Sequence, residues 1–411
     1  MTIPLKYVAR ISAGQSPPST EVTDLADGLA FLQGNAEFQA IHPAPRLECD
    51  SAPKQAQKGD VLVSVRAPVG ALNIADRRYG IGRGLCGIRA HQCDERFLWW
   101  WLHSQRPRLD SVSTGTTYKA VTAEDLGRLP FPSLSVDCQH RIADFLDAET
   151  ARIDELRSLT QRQAVLTAER FIEQMRRLTT GGGGHGFETE VPWMPHVHKE
   201  WNLSRVSYEF TTSSGTTPTS SRADYFDGPH PWINSSDIRD APIRYISKHV
   251  SDAALTDFSV LKLSRAGSLV VALYGQGATK GRVGILQMDA CMNQACCSLT
   301  SLGRVSEEFA FYWFRAHKEG IVTQAVGAGQ PNLSQELIRR LRIPVPAADT
   351  QKKIVAELSE AEEHLRAHNS LLQRRHALLV ERRQALITAA VTSQFDVTTA
   401  SGRNVTEGVS A

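Results

Sequence analysis

The stretch Gly82-Arg-Gly84-Leu-Cys-Gly87 has the spacing G-x-G-x-x-G, which lets backbone amides cradle a pyrophosphate when a strand precedes it and a helix follows. That chemistry also needs an acidic residue about twenty positions on, within a βαβ unit. The matching stretch later in the chain, Asn293-Gln-Ala-Cys-Cys-Ser298, has no glycine, so dinucleotide binding is set aside. Gly275-Gln-Gly-Ala-Thr-Lys280-Gly281 lacks the G-K-[ST] ending of a triphosphate loop. His185, His196 and His198 lie close together, yet no His or Cys pair has finger spacing, and they read as solvated linker side chains. No G-x-S-x-G elbow or H-E-x-x-H pair occurs. Nothing reads as catalytic, and no cofactor or metal is expected.

The chain has 411 residues, 41% hydrophobic and 22% charged, enough for two to three domains with buried cores. Its net charge of +2 neither announces a nucleic-acid partner nor excludes a local basic patch. Cys49, Cys86, Cys93, Cys138, Cys291, Cys296 and Cys297 form an odd set without C-x-x-C, the pattern of reduced thiols in a cytoplasmic protein. No run of about 18 apolar residues occurs, and no membrane association is expected.

Candidate binding side chains must be placed by folded elements, and these come twice. When residue n is laid over n + 212, Phe97 falls on Phe309, Trp101 on Trp313, Gly115 on Gly327, Thr122 on Ser334 and Glu124 on Glu336. The register continues through Arg128 on Arg340, Pro132 on Pro344, Asp137 on Asp349, Gln139 on Gln351, Leu146 on Leu358 and Glu169-Arg170 on Glu381-Arg382. Upstream, with small gaps, Gly59-Asp-Val-Leu-Val63 resembles Gly267-Ser-Leu-Val-Val271, whereas Leu5 to Pro18 matches Leu203 to Pro218 only loosely. A period near 200 residues means duplicated domains rather than a solenoid. Because the first copy starts at Met1 without the polar lead found before Leu203, its globular part is expected to lack a flanking strand.

Each copy is a globular part followed by a helical tail. Runs such as Val61-Leu-Val-Ser-Val65 and Leu269-Val-Val-Ala-Leu273, separated by Gly, Pro, Asn and Asp, predict strands linked by turns. Phe97-Leu-Trp-Trp-Trp-Leu102 and Phe309-Ala-Phe-Tyr-Trp-Phe314 predict short buried helices whose aromatics pack the core. In the tails, Ile142, Leu146, Ile153, Leu156 and Leu166, and then Ile354, Leu358, Leu365 and Leu378, recur mostly at threes, fours and sevens and mark the face on which two long helices meet. Asp137 and Asp349 are expected as N-caps, and Gly181 to Gly184 as the stop of the first helix. Forty residues of helix reach about 60 Å.

Both tails run from net negative to net positive. Asp144, Asp147, Glu149, Asp154 and Glu155 dominate the front of the first, and Arg157, Arg162, Arg170, Arg176 and Arg177 its back. In the second, Glu357, Glu360, Glu362 and Glu363 give way to Arg366, Arg374, Arg375, Arg382 and Arg383. Antiparallel packing sets these opposite charges together. The expected fold is α+β: two globular domains of similar fold joined by two long helices in an antiparallel coiled coil, pseudo-twofold symmetric. The expected boundaries are 1–138, a helical spacer 139–180, a glycine-rich linker 181–186, the second globular domain 187–350, a spacer 351–392 and a disordered tail 393–411.

Several blocks carry a family resemblance. Gly59-Asp-Val-Leu-Val-Ser-Val-Arg66 with Val69-Gly70, Gly115-Thr-Thr-Tyr-Lys119, Leu129-Pro-Phe-Pro132 and Gln139-His-Arg-Ile142, together with Ile343-Pro-Val-Pro346, Gln351-Lys-Lys-Ile354 and Leu379-Val-Glu-Arg382, resemble the specificity subunit of type I restriction-modification enzymes. The resemblance covers nearly the whole chain. It implies a non-catalytic reader of double-stranded DNA, with each globular part a target recognition domain for one half of a split, asymmetric sequence. The helices of such a subunit space the halves and dock two modification (adenine methyltransferase) subunits, and restriction subunits, ATP-dependent translocases and nucleases, join that core. The chain itself has neither the N-P-P-[YF] motif nor a P-loop.

Base choice in such a reader comes from loop side chains that bond two edge atoms at once, and grip from groups that meet phosphates. The candidates flank the repeated blocks: Arg66, Arg83, Tyr118 and Lys119 in the first copy, and Tyr274, Lys280, Arg282, Gln330 and Asn332 in the second. Because Gly327-Ala-Gly-Gln-Pro331 replaces Gly115-Thr-Thr-Tyr-Lys119, contacts of that loop do not transfer between copies. The rival reading is a coiled-coil scaffold that joins proteins without touching DNA.

Overall fold

The computed structural model describes residues 1–113, 121–182, 186–275, 277–325, 331–394 and 396–397. It divides into two compact units, Met1–Gln161 with Gln373–Ala411, and Arg162–Leu372. Each unit thus holds one globular part and half of each long helix.

In the first unit, Ala9–Ala13, Leu85–Ala90, Val61–Ser64 and Leu72–Ile74 form an antiparallel four-stranded sheet in that order. In the second, Phe210–Ser214, Cys296–Ser301, Leu269–Ala272 and Val283–Ile285 form the same sheet. A second, irregular sheet adjoins each through Tyr79–Ile81 or Cys291–Met292, which pair in parallel with Ala30–Leu32 and Phe226–Ile233. The buried side of Val61-Leu-Val and of Leu269-Val-Val faces a core that also takes the aromatic helices, Glu95–Ser113 and Glu307–Ala316. Phe97, Trp101, Phe309 and Trp313 are all buried, so these aromatics pack the interior rather than offer a stacking surface. Trp101 meets Phe131 edge-on at 5.0 Å, and Trp313 donates from Nε1 to Met194 Sδ.

The first copy does have its flanking strand. Thr2–Pro4 pairs antiparallel with Pro130–Pro132 as Asn202–Arg205 pairs with Arg342–Val345. Three residues were enough, since only backbone groups are needed for this ladder, and so the missing polar lead was no guide. What the second copy adds is a hairpin, Gly186–Glu188 with His196–His198, whose Trp193 lies against Trp313.

The long helices are Val136–Thr180 and Ala348–Val391. Both start earlier than Asp137 and Asp349 require for capping. Ser135 Oγ accepts from Cys138 N, and the two aspartates lie within the first turn, where their charge favours the helix dipole. Thr180 is the last helical residue of the first; Gly181 and Gly182 then take positive φ, and Gly182 N bonds back to Arg177 O, a left-handed stop that glycine adopts without a Cβ clash.

Within each unit the helices run antiparallel. In the first, Ile142, Leu146 and Ile153 share a core with Leu386, Ile387 and Ala390, and Asp154 Oδ2 accepts from Arg383 Nε at 3.2 Å. In the second, Phe171 and Met175 share one with Ile354 and Leu358, and Gln174 meets Glu357. Leu156 and Leu365 are half-buried. Leu166 and Leu378, expected on the seam, are 44% and 55% exposed. The buried stripe runs Leu146, Thr150, Ile153, Thr160, Phe171, Met175, Thr179, and its threonines return their hydroxyls to Leu146, Leu156 and Met175 carbonyls. Satisfied in this way, threonine enters the seam without a lost hydrogen bond, and a count of leucines alone follows the wrong register.

Candidate nucleic-acid interface

At one end of each four-stranded sheet, several loops are drawn together by backbone bonds. In the first unit Val65 N donates to Gly84 O, Val121 N to Val65 O, and Gly82 N to Leu32 O. The second repeats the scheme: Leu273 N to Ala295 O, Leu333 N to Leu273 O, and Asn293 N to Ile233 O. Glycine makes the approach possible. A Cβ on Gly14 would lie 2.2 Å from Gly82 O, one on Gly84 2.7 Å from Gln33 O, and one on Gly215 1.7 Å from Met292 O. Gly82, Gly84 and Gly87 are therefore close-packing residues within a strand–turn–strand, and no helix follows them.

These bonds place the candidates. Arg66 and Tyr274 hold equivalent positions, one residue after Val65 and Leu273; Arg66 is exposed, while Tyr274 is half-buried, and burial raises its hydroxyl pKa. Arg83 is exposed on the turn after Ile81. Lys280 is tied down, its ammonium donating to Pro331 O. Asn332, next to that carbonyl, is exposed and lines a cavity of 430 Å³ with Gln324, Ser334 and Arg340. Arg282 stands apart from the turn residues at the foot of Val283–Ile285, half-buried, with its backbone N–H on Thr279 O. Tyr118, Lys119 and Gln330 lie outside the described residues.

The same rim holds polar side chains that sequence reasoning missed. Ser16 Oγ accepts from Gln33 Nε2 and from Arg83 N, and Thr217 Oγ1 donates to Gln294 Oε1 at 2.6 Å. Gly14 and Gly215, each just ahead of such a hydroxyl, were the available signal. Among the described residues, no three or more His, Cys, Asp and Glu side chains gather as metal ligands. His198 instead accepts from Glu200 N and lies beside Trp201. The seven cysteines are free, and burial pushes the Cys86 and Cys291 thiols up to about 11, away from nucleophilic use. No helix among the described residues is long and apolar enough to cross a membrane.

A duplicated α+β module whose loops converge on one polar rim defines a class of binding protein. Comparison with known proteins gives the family. The family model described as type I restriction modification DNA specificity domain matches residues 49–166 and 198–374, well over half of the chain, and the chain belongs to that family. A putative type I restriction enzyme MjaX specificity subunit of Methanocaldococcus jannaschii is 36% identical over 174 residues, 42% of this chain and 40% of that protein. The MjaIX specificity subunit of the same organism is 23% identical over 195 residues, 46% and 44% of the two chains. The matched stretches thus span less than half the length of these curated relatives.

The fold has solved counterparts. A chain from a structure of complex assembly and conformational transition of the type I R-M system superposes with TM-score 0.73 at 17% identity, over 95% of this chain and 97% of that one. The HsdS subunit of Thermoanaerobacter tengcongensis gives 0.54 at 17%, over 96% and 97%.

Proposed function

We propose that this chain is the DNA-reading subunit of a type I restriction-modification complex, with residues 1–138 and 187–350 each reading one half of a bipartite, asymmetric target and residues 139–180 and 351–392 spacing the halves. The observation that carries this reading is the repeated rim: two copies of one backbone scheme that present different side chains, as two unlike half-sites require. Bases and phosphates are met by Arg66 and Arg83 in one copy and by Asn332 and Gln294 in the other, with Tyr118, Lys119 and Gln330 on loops beside them.

Two adenine methyltransferase subunits dock on the helices and supply the chemistry, and restriction subunits join that core. Exposed apolar side chains on the helices support the docking role: Leu159, Leu378 and Val380 in the first unit, and Val165, Leu166 and Leu371 in the second. A scaffold without DNA recognition is not favoured, since the family match covers both globular parts.

The test is coexpression with the neighbouring methyltransferase candidate and mapping of methylated adenines in host DNA by single-molecule sequencing. A split, asymmetric motif that depends on this chain is expected. A stable complex with no chain-dependent methylation would overturn the reading.

A further inference from the structure

One position on the rim is built identically in both units and yet carries different chemistry. In the first unit a turn at residues 82–85 is held at three points: Gly82 N to Leu32 O at 2.8 Å, Leu85 N to Gly82 O at 3.0 Å, and Val65 N to Gly84 O at 2.9 Å. In the second the turn at 293–296 has the same three bonds: Asn293 N to Ile233 O at 2.9 Å, Cys296 N to Asn293 O at 3.2 Å, and Leu273 N to Ala295 O at 2.8 Å. The second residue of the turn is Arg83 in one and Gln294 in the other, and both are exposed.

We infer that Arg83 and Gln294 are equivalent base-reading side chains, Arg83 selecting a guanine in one half of the target and Gln294 an adenine, other than the methylated one, in the other half. The inference rests on the DNA-reading role proposed above and names what that site distinguishes. A reader must be held by rigid elements, and a turn fixed by three backbone bonds holds its tip better than a loop fixed at its ends. Arg83 has no side-chain partner among the described residues, so its fork of donors is open to the O6 and N7 acceptors of guanine. Gln294 Oε1 accepts from Thr217 Oγ1, which orients the amide and leaves a second lone pair for the adenine amino group while Nε2 donates to N7. The other candidates are less suited. Lys280 already bonds Pro331 O and Tyr274 is half-buried.

The test uses the full chain in complex with its methyltransferase subunits and maps the methylated motif for the native protein, Arg83→Gln and Gln294→Arg. Arg83→Gln is expected to lower the preference for guanine at one position about tenfold or more and to leave the other half-site intact. Gln294→Arg is expected to relax an adenine in the opposite half by a similar factor. An unchanged motif, or methylation lowered evenly at all sites and restored at low salt, assigns these residues to phosphate contact or to solvent and overturns the inference. If Arg83→Gln does not assemble, Arg83→Ala is read by the same criterion. A native motif without guanine in either half overturns the inference alone, whereas no chain-dependent motif overturns the DNA-reading role itself.

Discussion

The two units keep the same backbone bonds and exchange the side chains around them. Gln139 accepts from Asp94 N and donates to Leu134 O, and Gln351 accepts from Ser306 N and donates to Pro346 O. Thr122 caps its helix through Asp125 N as Ser334 caps through Leu337 N. Elsewhere the partners differ. The buried Asp60 pairs with Arg89 in the first unit, and at the matching place in the second Ser268 meets Thr300, hydroxyl to hydroxyl at 2.9 Å.

The contrast is largest where the aromatic helix meets the long helices. In the second unit Arg315 lies over the rings of Phe171, Phe311 and Tyr312 and pairs with Glu362, both side chains nearly buried. In the first, His103 and Thr150 take the places of Arg315 and Glu362, and Arg383 takes that of Phe171, stacking on Trp100. The smaller pair leaves a cavity of 540 Å³ lined by Trp99, Trp100, His103 and Thr150. A duplicated module thus conserves what satisfies the main chain, because every copy has the same main chain to satisfy, while side-chain partners drift in matched sets.

The largest expected effect tests that drift. Removing one member of a buried ion pair strands the other, so Glu362→Ala should cost about 3–5 kcal/mol of stability. Arg366 also pairs with Glu362, which adds a second stranded cation. Thr150→Ala, at the matching place, should stay within about 1 kcal/mol, since its hydroxyl bonds only Leu146 O. Urea unfolding of both variants checks this, and equal losses would remove the distinction between the junctions.

Acid should weaken the two units alike. Burial, with Arg383 and Arg106 nearby, brings His103 down to about 3, and burial with Arg176 does the same for His317. Both rings are therefore neutral when folded, and the unfolded chain binds protons that the folded one refuses below about pH 6.5. The stability these histidines contribute is complete above that pH and is lost as pH falls toward 3, at up to about 1.4 kcal/mol per unit for each ring. From pH 7 to 5 the expected loss is about 2 kcal/mol per histidine. His103→Phe and His317→Phe should each flatten the pH profile of unfolding; an unaltered profile would show that the rings gain protons in the fold.

Much of the fold was legible because its signals are local. The strands at Val61 and Leu269, the aromatic helices and the repeat are all runs or registers in the sequence. The seam was legible only in part, since Thr150, Thr160 and Thr179 look polar until their hydroxyls are seen bonded to the preceding turn. The rim was least legible. Ser16, Gln33, Thr217 and Gln294 are far apart in the chain and meet only because Gly14, Gly84 and Gly215 let backbones touch. Nor does one offset align them: Phe97 and Phe309 differ by 212 positions, whereas the matched Leu32 and Ile233 carbonyls differ by fewer, because loops of unequal length intervene.

The smallest expected effect separates stability from assembly. Leu166 and Leu378 lie off the buried stripe, so Leu166→Ser and Leu378→Ser should change unfolding free energy by no more than about 0.5 kcal/mol. Were they seam residues, each would behave as a truncated core side chain and cost about 2–5 kcal/mol. If they instead belong to the docking face, the two variants should fold normally and yet retain less methyltransferase on copurification. A large loss of stability would return both leucines to the seam, and full retention of partner would place docking elsewhere on the helices. A reader whose chemistry is supplied by other chains must keep apolar side chains outside its own core, and these two are where that requirement is open to measurement.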